Sequence, residues 1–222
     1  MPDTKDQILD AAECLFSEYG IGAVPLRRIV AEAKVNSAAI HYHFGSKEKL
    51  VKAVFVRRYG PINRQRIELL EALESAEQPP GIEQLCHAIV APPFRIGEGT
   101  ASEHLYRSLA GRLMTEPAYM ELIFNDLFAE VDRRFDALLA KALPDLPDTV
   151  RTWRKFMATG SMIFVLREQN LIARASNGLC DTSDVEVTIR RLVRFMAAGL
   201  SAPMADDEAD LVAPARSGGR NA

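Results

Sequence analysis

A chain of 222 residues, 48% of them hydrophobic, can bury a substantial core, either as one small module plus a larger one or as a single elongated domain. Arg, Glu or Asp interrupt its longest apolar stretches well short of the ~20 residues of a membrane span. The polar, acidic start MPDTKDQILD lacks the basic flank and apolar core of an export signal, and the odd, widely spaced Cys14, Cys86 and Cys180 read as reduced thiols of a cytoplasmic protein. The net charge of −3 is unevenly spread. Residues 1–25 carry −4, residues 26–66 carry +8 and the remainder carries −7. A basic island in an acidic chain is the footprint of a module that faces phosphate, although a solvated helix surface has the same composition.

Helical periodicity runs through the chain, and no segment alternates as a strand would. Thr4 to Gln7 fit a capping box before an apolar stripe of Ile8, Ala12, Leu15, Phe16 and Tyr19, which Gly20 and Gly22 can stop. A short helix starts at Pro25 and turns Leu26, Ile29, Val30 and Ala33 inward. After Lys34 and Val35, Asn36 caps a helix of about two turns ending at Phe44. Ser46 caps a longer helix, in which Gly60-Pro61 predicts a kink rather than a stop. Further helices are expected at about 82–90, ending before Pro92-Pro93, at about 102–114, and from Pro117 as one long segment through Leu138. Two more are expected at 148–170 and 182–200, the last capped by Thr182 or Ser183. The acidic, then Gly/Ser/Arg-rich stretch 203–222 cannot build a core and reads as a disordered tail. The expectation is an all-α protein of about nine helices, with residues 1–55 as one domain and 56–202 as another.

Two short helices joined by a three-residue turn and backed by a third form a helix-turn-helix, here at about 26–44. Residues 20–55, GIGAVPLRRIVAEAKVNSAAIHYHFGSKEKLVKAVF, resemble the N-terminal signature of the tetracycline-repressor family. The matching positions are Gly20, Ile29, Ala33, Val35, Ala38 to Ile40, Tyr42 to Phe44, Lys47 and Leu50. The resemblance implies a three-helix DNA-binding head, a C-terminal ligand-binding and dimerisation domain, and no enzymatic activity. It implies a homodimer on a double-stranded DNA operator, with a small-molecule effector and with neither cofactor nor membrane among its partners.

The candidate DNA-facing set is Arg27, Arg28, Asn36, Ser37, Ala38, Ala39, His41, Tyr42, His43 and Lys47. Ala38 and Ala39 are small enough to approach base edges, Ser37, His41 and Tyr42 offer polar groups, and Lys47 can meet a phosphate at a helix start. His41 and His43 are two apart on a helix and diverge, so no metal site is expected. Two departures from the family stand out: Val24-Pro25 replace a hydroxyl cap, and Lys34 stands where the family usually has Gly.

Arg57 to Asn63 and the following Leu-rich helix resemble a fatty-acid-responsive branch of the family, the PsrA type, which implies fatty acids or acyl-CoAs among possible effectors. Aromatic and Met residues at 94–164 are most often ordinary core. In this family the same helices surround a cavity, which makes Phe94, Tyr106, Phe124, Phe128, Trp153 and Met157 candidate ligand-binding residues. His87, Arg95, His104 and Arg107 are open alternatives as polar anchors. The helices 148–170 and 182–200 are the expected dimer interface, where Gly160, Ser161, Ala197, Ala198 and Gly199 permit close approach. Two rival classes are an all-α enzyme, for which no GxSxG, Walker loop or HExxH is present, and a helical interaction protein that binds no DNA.

Overall fold

The computed structural model describes residues 3–96 and 101–204, except for the side chains of 101–104. The tail expected at 203–222 lies almost wholly outside the described residues. Among these there are eleven α-helices and no strand. The first four are α1 (Thr4–Tyr19), α2 (Leu26–Ala33), α3 (Ser37–His43) and α4 (Lys47–Glu74). Then follow α5 (Ile82–Phe94), α6 (Ala101–Thr115), α7 (Pro117–Leu127) and α8 (Ala129–Ala142). The chain ends with α9 (Asp148–Arg167), α10 (Gln169–Ala175) and α11 (Val185–Leu200). The all-α expectation holds; the count of about nine is corrected to eleven.

Two long segments are each divided. The segment from Pro117 breaks at Phe128, where the Asn63 side chain donates to the Leu127 carbonyl. The segment from Asp148 breaks at Glu168 before a short α10, beyond whose cap Ser176 the chain turns at Asn177 in a positive-φ conformation. Conversely, α5 does not end at Val90 but carries Pro92 and Pro93 in its last turn. Proline 93 has no N–H for the Ile89 carbonyl four residues back, and Arg66 Nε supplies the missing donor at 3.0 Å.

Capping is partly relocated. α1 is capped by Asp3, which accepts from Lys5 N–H at 3.3 Å, rather than by Thr4. α11 is capped by Asp184, which accepts from Val187 N–H at 2.9 Å, rather than by Thr182 or Ser183. Asn36 and Ser46 cap as expected, accepting from Ala38 and Lys49 N–H groups. α4 continues through Gly60-Pro61 without stopping.

The helices share one apolar core. α1 packs on α2, α3, α4 and α6; α4 packs on α5, α7 and α8; α11 packs on α5 and α9. α4 therefore runs from the small N-terminal bundle into the larger C-terminal one, and α6 meets the back of α1.

Candidate nucleic-acid interface and ligand cavity

The turn between α2 and α3 is set by Lys34. It adopts φ 54° and ψ 39°, and Val35 N–H reaches back to the Val30 carbonyl at 3.3 Å while Lys34 N–H reaches Ala31 at 3.3 Å. This is a Schellman closure, with the partly buried Val35 tucked back onto the helix. Ile29, Ile40 and Phe44 are buried beneath the two helices, with Ala33 and Val35 packed against them.

The outward face of α3 carries Ser37, Ala38, His41 and Tyr42, all exposed, with Ala39 and His43 half-buried. Positions 37, 38, 41 and 42 fall on one helix face. Tyr42 is 86% exposed, and its ring meets the His43 ring edge-on, with centroids 5.0 Å apart. Asn36 is exposed at the N-cap, and His41 Nδ1 lies 3.3 Å from the Gly45 carbonyl. Arg27 is exposed, and Arg28 lies over the Tyr19 ring at 3.7 Å.

Lys47 points toward the protein: Nζ donates to the Gly22 carbonyl at 3.2 Å and sits 6.0 Å from the Tyr119 ring. Burial lowers its pKa, opposed by the nearby Glu116 and Glu48 carboxylates.

The basic island divides in the same way. Arg57 pairs with Glu13 at 2.7 Å and Asp10 at 2.8 Å, and Arg58 Nε donates to Glu13 at 2.6 Å. Lys52 pairs with Asp126, and Arg66 is buried. Arg27, Arg28, Lys34 and Lys49 form no ion pair among the described residues.

One feature that sequence reasoning missed is a clamp between head and body. Glu116, between α6 and α7, accepts from the Ile21 N–H at 2.7 Å and the Gly22 N–H at 2.6 Å. Arg112 donates to the Glu18 carbonyl at 2.6 Å, and Ser108 donates to Ser17 at 2.9 Å. A Cβ at Gly22 would stand 3.1 Å from Glu116 Oε2, so glycine lets the carboxylate approach. A Glu preceding a Pro gives no sequence signal for such a role.

A cavity of about 180 Å³ lies among α4 to α9 and α11. Of the candidate ligand-binding residues, Tyr106, Phe124 and Phe128 line it. Phe94 is core, and Trp153 and Met157 face outward at 63% and 65% exposure. Arg95 is engaged by Glu186 at 2.7 and 2.9 Å, while His87 lines a separate surface cleft. Arg107 does not line the cavity, and the side chain of His104 lies outside the described residues. The wall instead contains Tyr59, Arg66 and Lys155, which periodicity alone did not single out.

Residues 8–54 match the model for bacterial regulatory proteins of the tetR family, and residues 87–199 match the tetracyclin repressor-like C-terminal domain. The chain is 39% identical over 75 residues to the HTH-type transcriptional repressor NicS of Pseudomonas putida, covering 34% of this chain and 35% of NicS. Among solved structures, the fatty acid degradation regulator FadR of Bacillus halodurans superposes with a TM-score of 0.61 at 17% identity, covering 90% of this chain and 98% of that one. FadR of Bacillus subtilis, solved with stearoyl-CoA, gives 0.57 at 14% identity, covering 87% and 98%. These two likenesses concern the fold. With the C-terminal model matching just over half of the sequence and the N-terminal model covering the helix-turn-helix, the chain belongs to the tetracycline-repressor family.

Proposed function

We propose that the chain is a ligand-responsive transcriptional repressor. In this reading residues 1–55 read an operator, and residues 56–202 bind a small hydrophobic effector and join two copies. The observation that carries the DNA reading is the outward face of α3, where Tyr42 is almost fully exposed beside Ser37, Ala38 and His41. A large aromatic side chain held in water on a short, well-anchored helix is suited to a groove rather than to a core. Ala38 and Ala39 leave room for thymine methyl groups, while Arg27, Arg28, Lys34 and Lys49 are placed around the turn and the start of α4 for phosphates. Lys47 contributes by holding the Gly22 loop rather than by meeting phosphate directly.

The apolar outer face of α9 and α11 supports a homodimer. Two heads then occupy successive major grooves of a palindromic site, ~34 Å apart. Effector binding in the cavity favours a head spacing that fits the operator less well.

The test is a shift assay on DNA from upstream of the protein's own coding region, with the unaltered protein and with Tyr42→Ala. Sequence-selective binding that Tyr42→Ala abolishes, with fold and dimer intact, is the expected result. Four cations per head give a slope of log affinity against log salt of about −7 for a dimer. Binding that is insensitive to salt, or equal on unrelated DNA, overturns the reading.

A further inference from the structure

The cavity wall contains one cation that no carboxylate pairs with among the described residues. Arg66 on α4 is 6% exposed and lines the cavity. Its Nε is committed to the Ile89 carbonyl, and Nη1 donates to Asn63 Oδ1 at 3.3 Å. A guanidinium has five donors, so these two bonds leave the Nη2 end without a partner among the described residues. No carboxylate there pairs with it; the neighbouring groups that act on its charge are the Tyr59 and Tyr106 phenols. The second cation in the wall is in a different state, because Lys155 is held by Asp132 at 3.0 Å and Asp136 at 2.8 Å.

Arg stays protonated even when burial lowers its pKa, so an anion arriving beside it gains a charge-assisted, two-pronged contact. The two phenols extend the donor set. Tyr59 and Tyr106 are 4% and 3% exposed, with ring centroids 4.9 Å apart, and neither hydroxyl is hydrogen-bonded to a described residue. Burial pushes Tyr106 up to about 12 and Tyr59 well above the ordinary phenol range, so both retain the proton that an anion would accept. The rest of the wall is largely apolar, with Leu113, Met120, Phe124, Phe128, Phe135 and Met162.

We propose that this cavity binds a compact hydrophobic monocarboxylate, its carboxylate on Arg66 with the Tyr59 and Tyr106 hydroxyls and its hydrocarbon or aromatic body among Phe124, Phe128, Phe135 and Met162. This rests on the reading of the chain as a ligand-responsive regulator and names the ligand class for that site. One carboxylate gives Arg66 the partner it lacks, while Asp132 and Asp136 are already engaged with Lys155. A dicarboxylate would bury a second negative charge without a partner. An acyl thioester offers Arg66 only a neutral carbonyl, and a nucleotide head does not fit in about 180 Å³.

Calorimetric titration of the full chain with benzoate and with octanoate, each beside its own amide, tests the proposal. At least one acid is expected to bind at least tenfold more tightly than its amide. In Arg66→Gln that preference is expected to vanish, the acid falling to the level of the amide. Because Arg66 also serves the Ile89 carbonyl, that variant is checked by circular dichroism; should it fail to fold, the comparison on the unaltered protein decides alone. Binding of neither acid, or binding of each acid no tighter than its amide, overturns the proposal. Operator release is read separately. An acid that binds in the calorimeter but leaves the operator complex intact supports this site and counts against release as its effect. Operator binding in a protein that binds neither acid keeps the regulator and removes the site.

Discussion

Lys34 holds a left-handed backbone conformation in the turn on which the orientation of α3 depends. A side chain with a Cβ pays about 1–2 kcal/mol there, while glycine adds about 0.5–1 kcal/mol of unfolded-state entropy. Lys34→Gly is therefore expected to stabilise the protein by about 0.5–1 kcal/mol in urea titration. The same change removes one of the cations assigned to phosphate, so operator affinity should fall and its salt slope should flatten by about 1–2 for a dimer. Unchanged stability would mean that the turn relaxes without cost. Cys86 gives a second check at this scale, because burial pushes its thiol up to about 12. A raised thiol pKa disfavours the thiolate in the folded state, so the attendant stability is full below the free-thiol value of about 8.5 and is lost as pH rises toward the folded value. At pH 8 a thiol reagent should modify the exposed Cys180 readily, Cys14 more slowly, and Cys86 only after unfolding. Prompt labelling of all three thiols would show that the α5 core opens under native conditions.

At the scale of elements, the clamp at Glu116 is a contact placed to join cavity and reading head, alongside the continuous α4. α6 and α7 supply cavity wall through Tyr106 and Phe124, and the residue between them holds the Ile21 and Gly22 amides. Glu116→Ala is expected to speed hydrogen exchange at those two amides and to cost about 1–3 kcal/mol. It should also weaken the effect of a bound ligand on operator affinity while leaving ligand affinity nearly unchanged. Exchange rates at Ile21 and Gly22 equal to those of the unaltered protein would exclude the clamp. The same scale shows what the sequence made legible. Periodicity and caps placed α2, α3 and the start of α4 well, because local chemistry at Asn36 and Ser46 decides those boundaries. It misplaced the end of α5 and the break at Phe128, because both depend on donors from a distant helix. Arg66 answers the carbonyl that Pro93 cannot, and Asn63 takes the Leu127 carbonyl. The cavity was legible as an aromatic region but not as a site. Trp153 and Met157 share that composition yet face outward, and one cation among ten in a basic stretch does not announce that it is buried.

For the whole molecule, the charge island and the apolar outer face bear on the same property, the strength of DNA binding. The island is +8 in the sequence, yet Arg57 and Arg58 are turned to Glu13, Lys52 to Asp126, and Arg66 into the core. One head therefore offers phosphate only a few cations, and tight operator binding requires two heads on one rigid body. The surface that can provide this is on α9 and α11, which pack against each other. Trp153, Phe156, Met157, Phe164 and Phe195 are each more than half exposed there, and a Cβ built on Gly160 or Gly199 would meet no described residue beyond its own stretch of helix within 4 Å. So large an exposed aromatic face is uncommon on a monomer. Two copies related by a two-fold axis would cover it with a four-helix arrangement in which small residues let the helices approach. Phe195→Glu would place a carboxylate from each protomer in that dry face. It is expected to weaken the dimer on the order of 100-fold or more, with a monomer of unchanged helix content by light scattering and circular dichroism. Operator affinity should collapse in parallel, since each head would then bind a half-site alone. A Phe195→Glu protein that remains dimeric would place the interface elsewhere, and a monomer that keeps full operator affinity would sever the link between two-fold symmetry and DNA reading.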